Sequence, residues 1–172
     1  MDDVSHECWN ANVQVRNFMA TNGMRTPLAL EQYYVKRLEQ ITAELNRTAI
    51  VWDDPFNKGI KLANNTIVQV WKDVRLLSEY RPWSEYMSRV MRHNHRAILS
   101  ACWFLSIIRY GSDWKDFYAC DPHDFDWDDE ETKHRLVLGG EACLWGEYVD
   151  ATNFMSRLWQ ENFLFSYYAI SL

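Results

Sequence analysis

Residues 136–150, LVLGGEACLWGEYVD, place a carboxylate, an indole and a second carboxylate (Glu141, Trp145 and Glu147) behind an apolar run and a glycine pair. Leu136, Val137 and Leu138 read as a buried strand, and Gly139 and Gly140 let the backbone turn tightly at its end. The arrangement recurs three times upstream, where AIVW ends at Trp52, TIVQVW at Trp71 and AILSACW at Trp103. Indoles at the rim of a pocket stack on the apolar C–H faces of pyranose rings, while nearby carboxylates take the hydroxyls. A single tryptophan at a strand end is at least as often core as rim. Four at four equivalent strand ends point to one surface built from four indoles.

The elements that must position this rim alternate. SHECWNANVQVRNFMATNG spaces Cys8, Val13, Val15, Phe18 and Met19 as a helix that Gly23 stops. Thr26-Pro27 starts a second helix, LALEQYYVKRLEQITAELNR, in which Leu30, Tyr34, Leu38, Ile41 and Leu45 mark the face laid on a sheet. The period then changes. Ala49 to Trp52 is a short buried strand ended by Asp53, Asp54 and Pro55, and a loop with Asn57 and Gly59 leads to the strand Thr66 to Trp71. A helical pattern from Val74 to His93 is interrupted by Pro82, which starts the main helix WSEYMSRVMRH. Ala97 to Trp103 is the third strand. The long, aromatic and acidic segment from Phe104 to Arg135 has little periodicity and reads as a functional loop or a short helical excursion. Within it the acidic run Asp126 to Glu131 reads as a solvated helix start rather than a metal site. Another helix starts at Asn153 to Trp159. Strands alternating with helices, buried on both faces and presenting their chemistry at one end, define an α/β class with a parallel sheet. Four such units are about half of a (β/α)8 TIM barrel, whose site lies at the C-terminal strand ends.

Composition narrows the partners. The 172 residues, 48% hydrophobic and 15% aromatic, are enough for one globular domain with a sizeable core. A net charge of -6 argues against nucleic acid, and the cluster Arg89, Arg92, His93, His95 and Arg96 reads as a solvated helix end. No apolar stretch reaches the roughly 18 residues of a membrane span. Met1 is followed by Asp2 and Asp3 rather than by a signal peptide, so either the protein is intracellular or its true beginning lies upstream. Cys8, Cys102, Cys120 and Cys143 lack the paired short spacings of a zinc site. Cys102 and Cys143 fall at strand ends, where free cysteine behaves as a small apolar residue. Asn46-Arg47-Thr48 and Asn64-Asn65-Thr66 are glycosylation acceptors that hint at a secretory route. No metal or cofactor is expected.

GGEACLWGEYVD, with YGSDWKDFY before it, VWDDPF and IVQVWKD further back and DDVSHECW at the start, resembles the animal β-N-acetylhexosaminidases of glycoside hydrolase family 20. The likeness runs in order from Asp2 to about Trp159. It implies a retaining hydrolase that removes terminal β-linked N-acetylglucosamine or N-acetylgalactosamine, with the substrate's own acetamido oxygen as nucleophile. By resemblance, Asp2 orients the acetamido group and Asp3 falls on the general acid. Trp52, Trp71 and Trp145 fall on the indole pocket, and Glu147 on the carboxylate that holds the outer hydroxyls. Tyr110 falls on a tyrosine that lies near the partner subunit's site in a dimer. The resemblance implies N-acetylhexosamine-terminated glycans as substrates, a homo- or heterodimer, and a lysosomal or secreted location.

Three positions depart from the family pattern. Asp3 stands where the family has glutamate, and one fewer methylene withdraws the acid by roughly 1 Å, which can cost on the order of 100-fold in rate. Phe104 stands where the family has a tyrosine whose hydroxyl binds the acetamido group, a donor worth roughly 10² to 10³. Ser106 stands where an Asn or Asp contacts the sugar. Met1 falls on the second glycine of a His-x-Gly-Gly-Asp-Glu motif. Residues 1–172 are thus expected to form the C-terminal part of the catalytic domain, without the N-terminal half of the barrel, the N-terminal domain or the family disulfide partner of Cys8. QENFLFSYYAISL does not follow the family's closing helix. Two readings follow: a fragment of a hexosaminidase, or a catalytically degenerate homologue acting as a sugar-binding or subunit-interaction module.

Overall fold

The structure, a computed structural model, describes residues 5–107 and 114–158; Asp2, Asp3, Tyr110 and the segment from Trp159 onward lie outside them. The elements run α1 (His6–Ala11), α2 (Val13–Thr21), α3 (Pro27–Glu44), β1 (Ile50–Trp52), α4 (Asp53–Asn57), β2 (Ile67–Val70), α5 (Trp83–Arg92), β3 (Ala97–Leu99), a 3₁₀ turn (Ala101–Trp103), α6 (Trp114–Ala119), α7 (Glu130–Leu136) and β4 (Val137–Gly140). The strands form one parallel sheet in the order β1-β2-β3-β4, each joined to the next through helix, which is the expected α/β class. By its contacts the chain divides into two compact units, residues 1–68 and 69–172, with the division inside β2.

In the first unit, the single helix expected before Gly23 is two. Asn12 is extended (φ -83°, ψ 120°) and its side chain accepts from the Gln14 and Val15 amides, so it ends α1 and caps α2. Asparagine gains more as a cap than as a helix interior residue. Gly23 then closes α2 at φ +67°. The second helix begins as expected, with Thr26 capping the Ala29 amide and Pro27 in the first turn. Its expected apolar face is enclosed only in part, at the half-buried Leu30 and Leu38. Tyr34, Ile41 and Leu45 are 52%, 40% and 66% exposed, whereas Glu31 and Val35 are fully buried.

Glu31 is tolerated there because polar partners reach it: His6 Nε2 lies 2.7 Å from one carboxylate oxygen, and Lys58 Nζ donates at 3.3 and 3.4 Å. Glu39 on the same helix accepts from the Ala63 amide (2.8 Å) and Thr66 Oγ1 (2.6 Å), and the Ile67 amide donates to the Ala49 carbonyl (3.0 Å). These bonds set the approach to β2 beside β1. Asp53 and Asp54 do not simply end β1. They form the first turn of α4, where acidic side chains suit the helix dipole.

In the second unit, α5 begins after Pro82 as expected and buries Tyr86, Met87, Val90 and Met91. The third strand is shorter than its apolar run. It ends at Leu99, and the 3₁₀ turn that follows directs Trp103 inward. Trp103 is 3% exposed and its Nε1 donates to the Phe117 carbonyl (3.0 Å), so this indole is core and the four-indole surface loses one member. Gly140 lies against it; a methyl group there would overlap the indole ring. The expectation that Cys102 is a free apolar cysteine is also corrected. Cys102 and Cys120 form a disulfide with Cα atoms 6.2 Å apart, joining the 3₁₀ turn to the end of α6. A spacing of 18 residues carries no pairing signal by itself.

The long segment holds α6 and α7. The acidic run starts α7: Asp129 accepts from the Thr132 amide (3.1 Å) and hydroxyl (2.6 Å), which holds its carboxyl below the usual range. Lys133 is anchored by the carbonyls of His123 and Phe125, each at 3.1 Å, and by Glu130 at 2.8 Å. Residues 154–158 are helical, as expected. Among the strands of the described residues only β2 is buried along its whole length; the expectation that all are buried on both faces fails at Ile50 on β1 and Leu138 on β4, 52% and 42% exposed.

Candidate active site

The polar and aromatic residues gather past the C-terminal ends of β2, β3 and β4. β3 and β4 run parallel, pairing Ala97 with Val137 and Leu99 with Gly140. Beyond the strands the pairing continues: Glu141 N donates to Leu99 O (2.9 Å), Cys143 N to Trp103 O (2.9 Å) and Leu105 N to Cys143 O (2.8 Å), with Phe104 bridged to Cys143. Phe104, half-buried, therefore lies beside the start of the GEACLWGEYVD turn. On the other side Ser100 N donates to Val70 O at 2.7 Å, which brings the end of β2 alongside.

Trp71 follows β2 directly and is half-buried. Its ring centroid is 6.1 Å from Phe104 and 5.8 Å from Tyr80, the latter edge-on at 87°, and Lys72 Nζ lies 5.5 Å from both the Trp71 and Tyr80 rings. The indole is thus fixed on two sides by aromatics. Ser106, two residues past Phe104, is 2% exposed, and its hydroxyl has no hydrogen-bond partner. Trp145, 38% exposed, and the exposed Glu147 occupy the turn after β4. That turn is closed from behind. Asp150 accepts from the Thr152 amide (2.8 Å) and hydroxyl (2.5 Å), bonds that pull its carboxyl below the usual range, and Asn153 Nδ2 donates to the Tyr148 carbonyl (2.9 Å). In the first unit, Trp52 ends β1 half-buried and leads straight into α4. Asp2, Asp3 and Tyr110 lie outside the described residues.

Beside the aromatics, two buried polar residues that the sequence reading passed over, Gln69 and Ser100, meet the exposed Glu141. Gln69 Nε2 donates to Ser100 Oγ (2.7 Å) and to Glu141 Oε2 (2.8 Å). Gln69 is 6% exposed and Ser100 fully buried. Cys143 is beside them; burial, with the Glu141 charge adding to it and the Ser100 hydrogen bond opposing, pushes its thiol up to about 11. The available signal was a polar residue inside the apolar run TIVQVW, two residues before Trp71.

A parallel sheet with helical connections and a polar, aromatic rim at its C-terminal strand ends defines an α/β protein built as part of a (β/α)8 barrel. The fold matches a chitobiase of Flavobacterium johnsoniae at a TM-score of 0.73 over 92% of this chain and 23% of that one, with 19% identity. It matches an exo-β-N-acetylglucosaminidase of Vibrio harveyi at 0.74 over 95% and 26%, with 14% identity. The chain belongs to glycosyl hydrolase family 20, whose catalytic-domain model matches residues 1–165. It is 42% identical to β-hexosaminidase subunit beta of Rattus norvegicus over 92% of this chain and 28% of that protein. The human subunit beta is also 42% identical (92% and 27%), and subunit alpha of Mus musculus 39% (92% and 29%). The chain therefore spans less than a third of the length of these curated relatives.

Proposed function

We propose that this chain supplies the C-terminal part of the catalytic domain of a β-N-acetylhexosaminidase, which removes terminal N-acetylglucosamine or N-acetylgalactosamine from glycans. Hydrolysis proceeds with retention: the substrate's acetamido oxygen attacks the anomeric carbon while an acid protonates the leaving oxygen, and water then opens the intermediate. Asp2 orients the acetamido group and Asp3 is the acid. Trp52, Trp71 and Trp145 bind the ring and acetamido methyl, and Glu147 takes outer hydroxyls. Phe104 and Ser106 line the acetamido side, and Tyr110 reaches toward a partner subunit of a homo- or heterodimer. A lysosomal or secreted location fits the relatives. The observation that carries the reading is the junction of Trp71 with Phe104 and the GEACLWGEYVD turn at adjacent strand ends.

A second reading, a catalytically degenerate sugar-binding or subunit-interaction module, is supported at two positions. Phe104 brings a ring to Trp71 with no hydroxyl to offer, and the short Ser106 side chain is sealed from solvent. The test is hydrolysis of an aryl N-acetylglucosaminide by the 172-residue chain. No turnover is expected, and Asp3→Glu alone is expected not to restore it. Turnover that disappears in Asp2→Asn would instead make the chain an enzyme as it stands and remove the degenerate reading.

A further inference from the structure

The carboxamide of Gln69 sits where the ends of β2, β3 and β4 meet. Both of its N–H groups are used on acceptors from the other two strand ends, Ser100 Oγ at 2.7 Å and Glu141 Oε2 at 2.8 Å. That fixes the amide: turning it over would set its carbonyl oxygen against the Glu141 carboxylate. Trp71 is two residues beyond Gln69, directly past the end of β2, and Trp145 is four residues beyond Glu141.

We infer that Gln69 is a positioning residue which, by clamping Ser100 and Glu141, sets the placement of the Trp71 and Trp145 indoles. The inference rests on the proposed function for its biological meaning, because those indoles are the proposed sugar platform. Its geometry stands without that reading. The clamp depends on an amide donor. A carboxylate at position 69 would face Glu141 at hydrogen-bond distance, and two carboxylates that close oppose each other's ionisation, less strongly here than in a buried pair because Glu141 is exposed to solvent. They would share a proton at low pH and separate at neutral pH. The other charged groups on these strand ends, Lys72 and the Asp73–Arg75 ion pair, are on the segment after β2. The Cys143 thiol, at about 11, keeps its proton across the range.

The test follows the indole N–H signals of the ¹⁵N-labelled 172-residue chain, wild type against Gln69→Glu and Gln69→Leu, from pH 4.5 to 8. In Gln69→Glu the Trp71 and Trp145 signals should match wild type at the acidic end and move away as the pH rises, with a midpoint above the ordinary carboxylate range. The Trp103 signal, held in the core by the Phe117 carbonyl, should stay put and report an intact fold. Gln69→Leu should displace the same two signals at every pH. N-acetylglucosamine is then titrated at pH 4.5 and 7.5. Losing a hydrogen bond to a charged group corresponds to about a 10- to 100-fold change, so Gln69→Glu should bind about tenfold more weakly at pH 7.5 than at 4.5 while wild type changes little. Trp71 and Trp145 signals that do not respond to either substitution would overturn the inference, as would a Trp103 shift equal to theirs. Absence of sugar binding by wild type would count against the proposed function and leave the pH titration to decide the role of Gln69.

Discussion

Removing the Cys102–Cys120 disulfide should weaken the part of the fold that presents Phe104 and Ser106. The bond closes a loop with a sequence separation of 18 and joins the 3₁₀ turn to the end of α6. On chain entropy, a loop of that size constrains the unfolded state by about 3 kcal/mol at 25 °C. In a chain of this length each kcal/mol moves the melting temperature by about 2–4 °C, so Cys102→Ala/Cys120→Ala should melt about 6–12 °C below wild type. The loss should concentrate near α6, because the Trp103 Nε1 bond to Phe117 O at 3.0 Å holds the same helix to the same turn. Calorimetry gives the melting temperatures, and exchange of the Trp103 indole proton reports the local opening. Reduced wild type with two additional free thiols by mass should behave like the double alanine variant. If it melts with the oxidised protein, the disulfide does not constrain this region and the reasoning fails.

Two further predictions concern charge. Glu31 is fully buried between His6 and Lys58, whose side chains keep 33% and 24% exposure, so either partner alone should be dispensable for about 1 kcal/mol. His6→Phe with Lys58→Met should cost about 3–5 kcal/mol, more than the sum of the single changes, and adding Glu31→Met should recover most of it. Strictly additive urea midpoints would remove the triad's role. His123 lies under His134 (ring centroids 4.7 Å) and 3.5 Å from the Asp121 carboxylate. Its pKa is nonetheless lowered, because burial outweighs the attraction of Asp121. A lowered folded-state value means that the unfolded chain takes the proton first. The stabilising contribution is therefore complete above the ordinary histidine value of about 6.5 and is lost as pH falls through the folded value. The melting temperature of wild type relative to His123→Gln should rise from pH 5 to 7.5; a flat or falling difference would refute this.

Much of this protein is written locally. The Thr26-Pro27 start of α3, Pro82 before α5 and the acidic start of α7 were legible because caps and ring-fixed φ act within a few residues, whereas Leu136 closes α7 and Gly139 and Gly140, expected to turn the chain, are the last two residues of β4. The motif from Gly139 to Asp150, with the strand-end tryptophans, was also enough to draw the resemblance to the family to which the chain belongs. What the sequence could not settle depends on neighbours far along the chain. Trp52, Trp71 and Trp103 have the same local context, yet Trp103 became core because the strand before it stops at Leu99 and a 3₁₀ turn aims its indole at Phe117 and Gly140. The apolar stripe of α3 predicted the buried face only in part, since Tyr34, Ile41 and Leu45 are exposed while His6 and Lys58 make Glu31 a residue that can be enclosed. Periodicity encodes which residues share a side, but not which partners arrive there. Pairing of Cys102 with Cys120, and of Gln69 with Ser100 and Glu141, exists only once separate strand ends are brought within bonding distance, and that is decided by the tertiary fold.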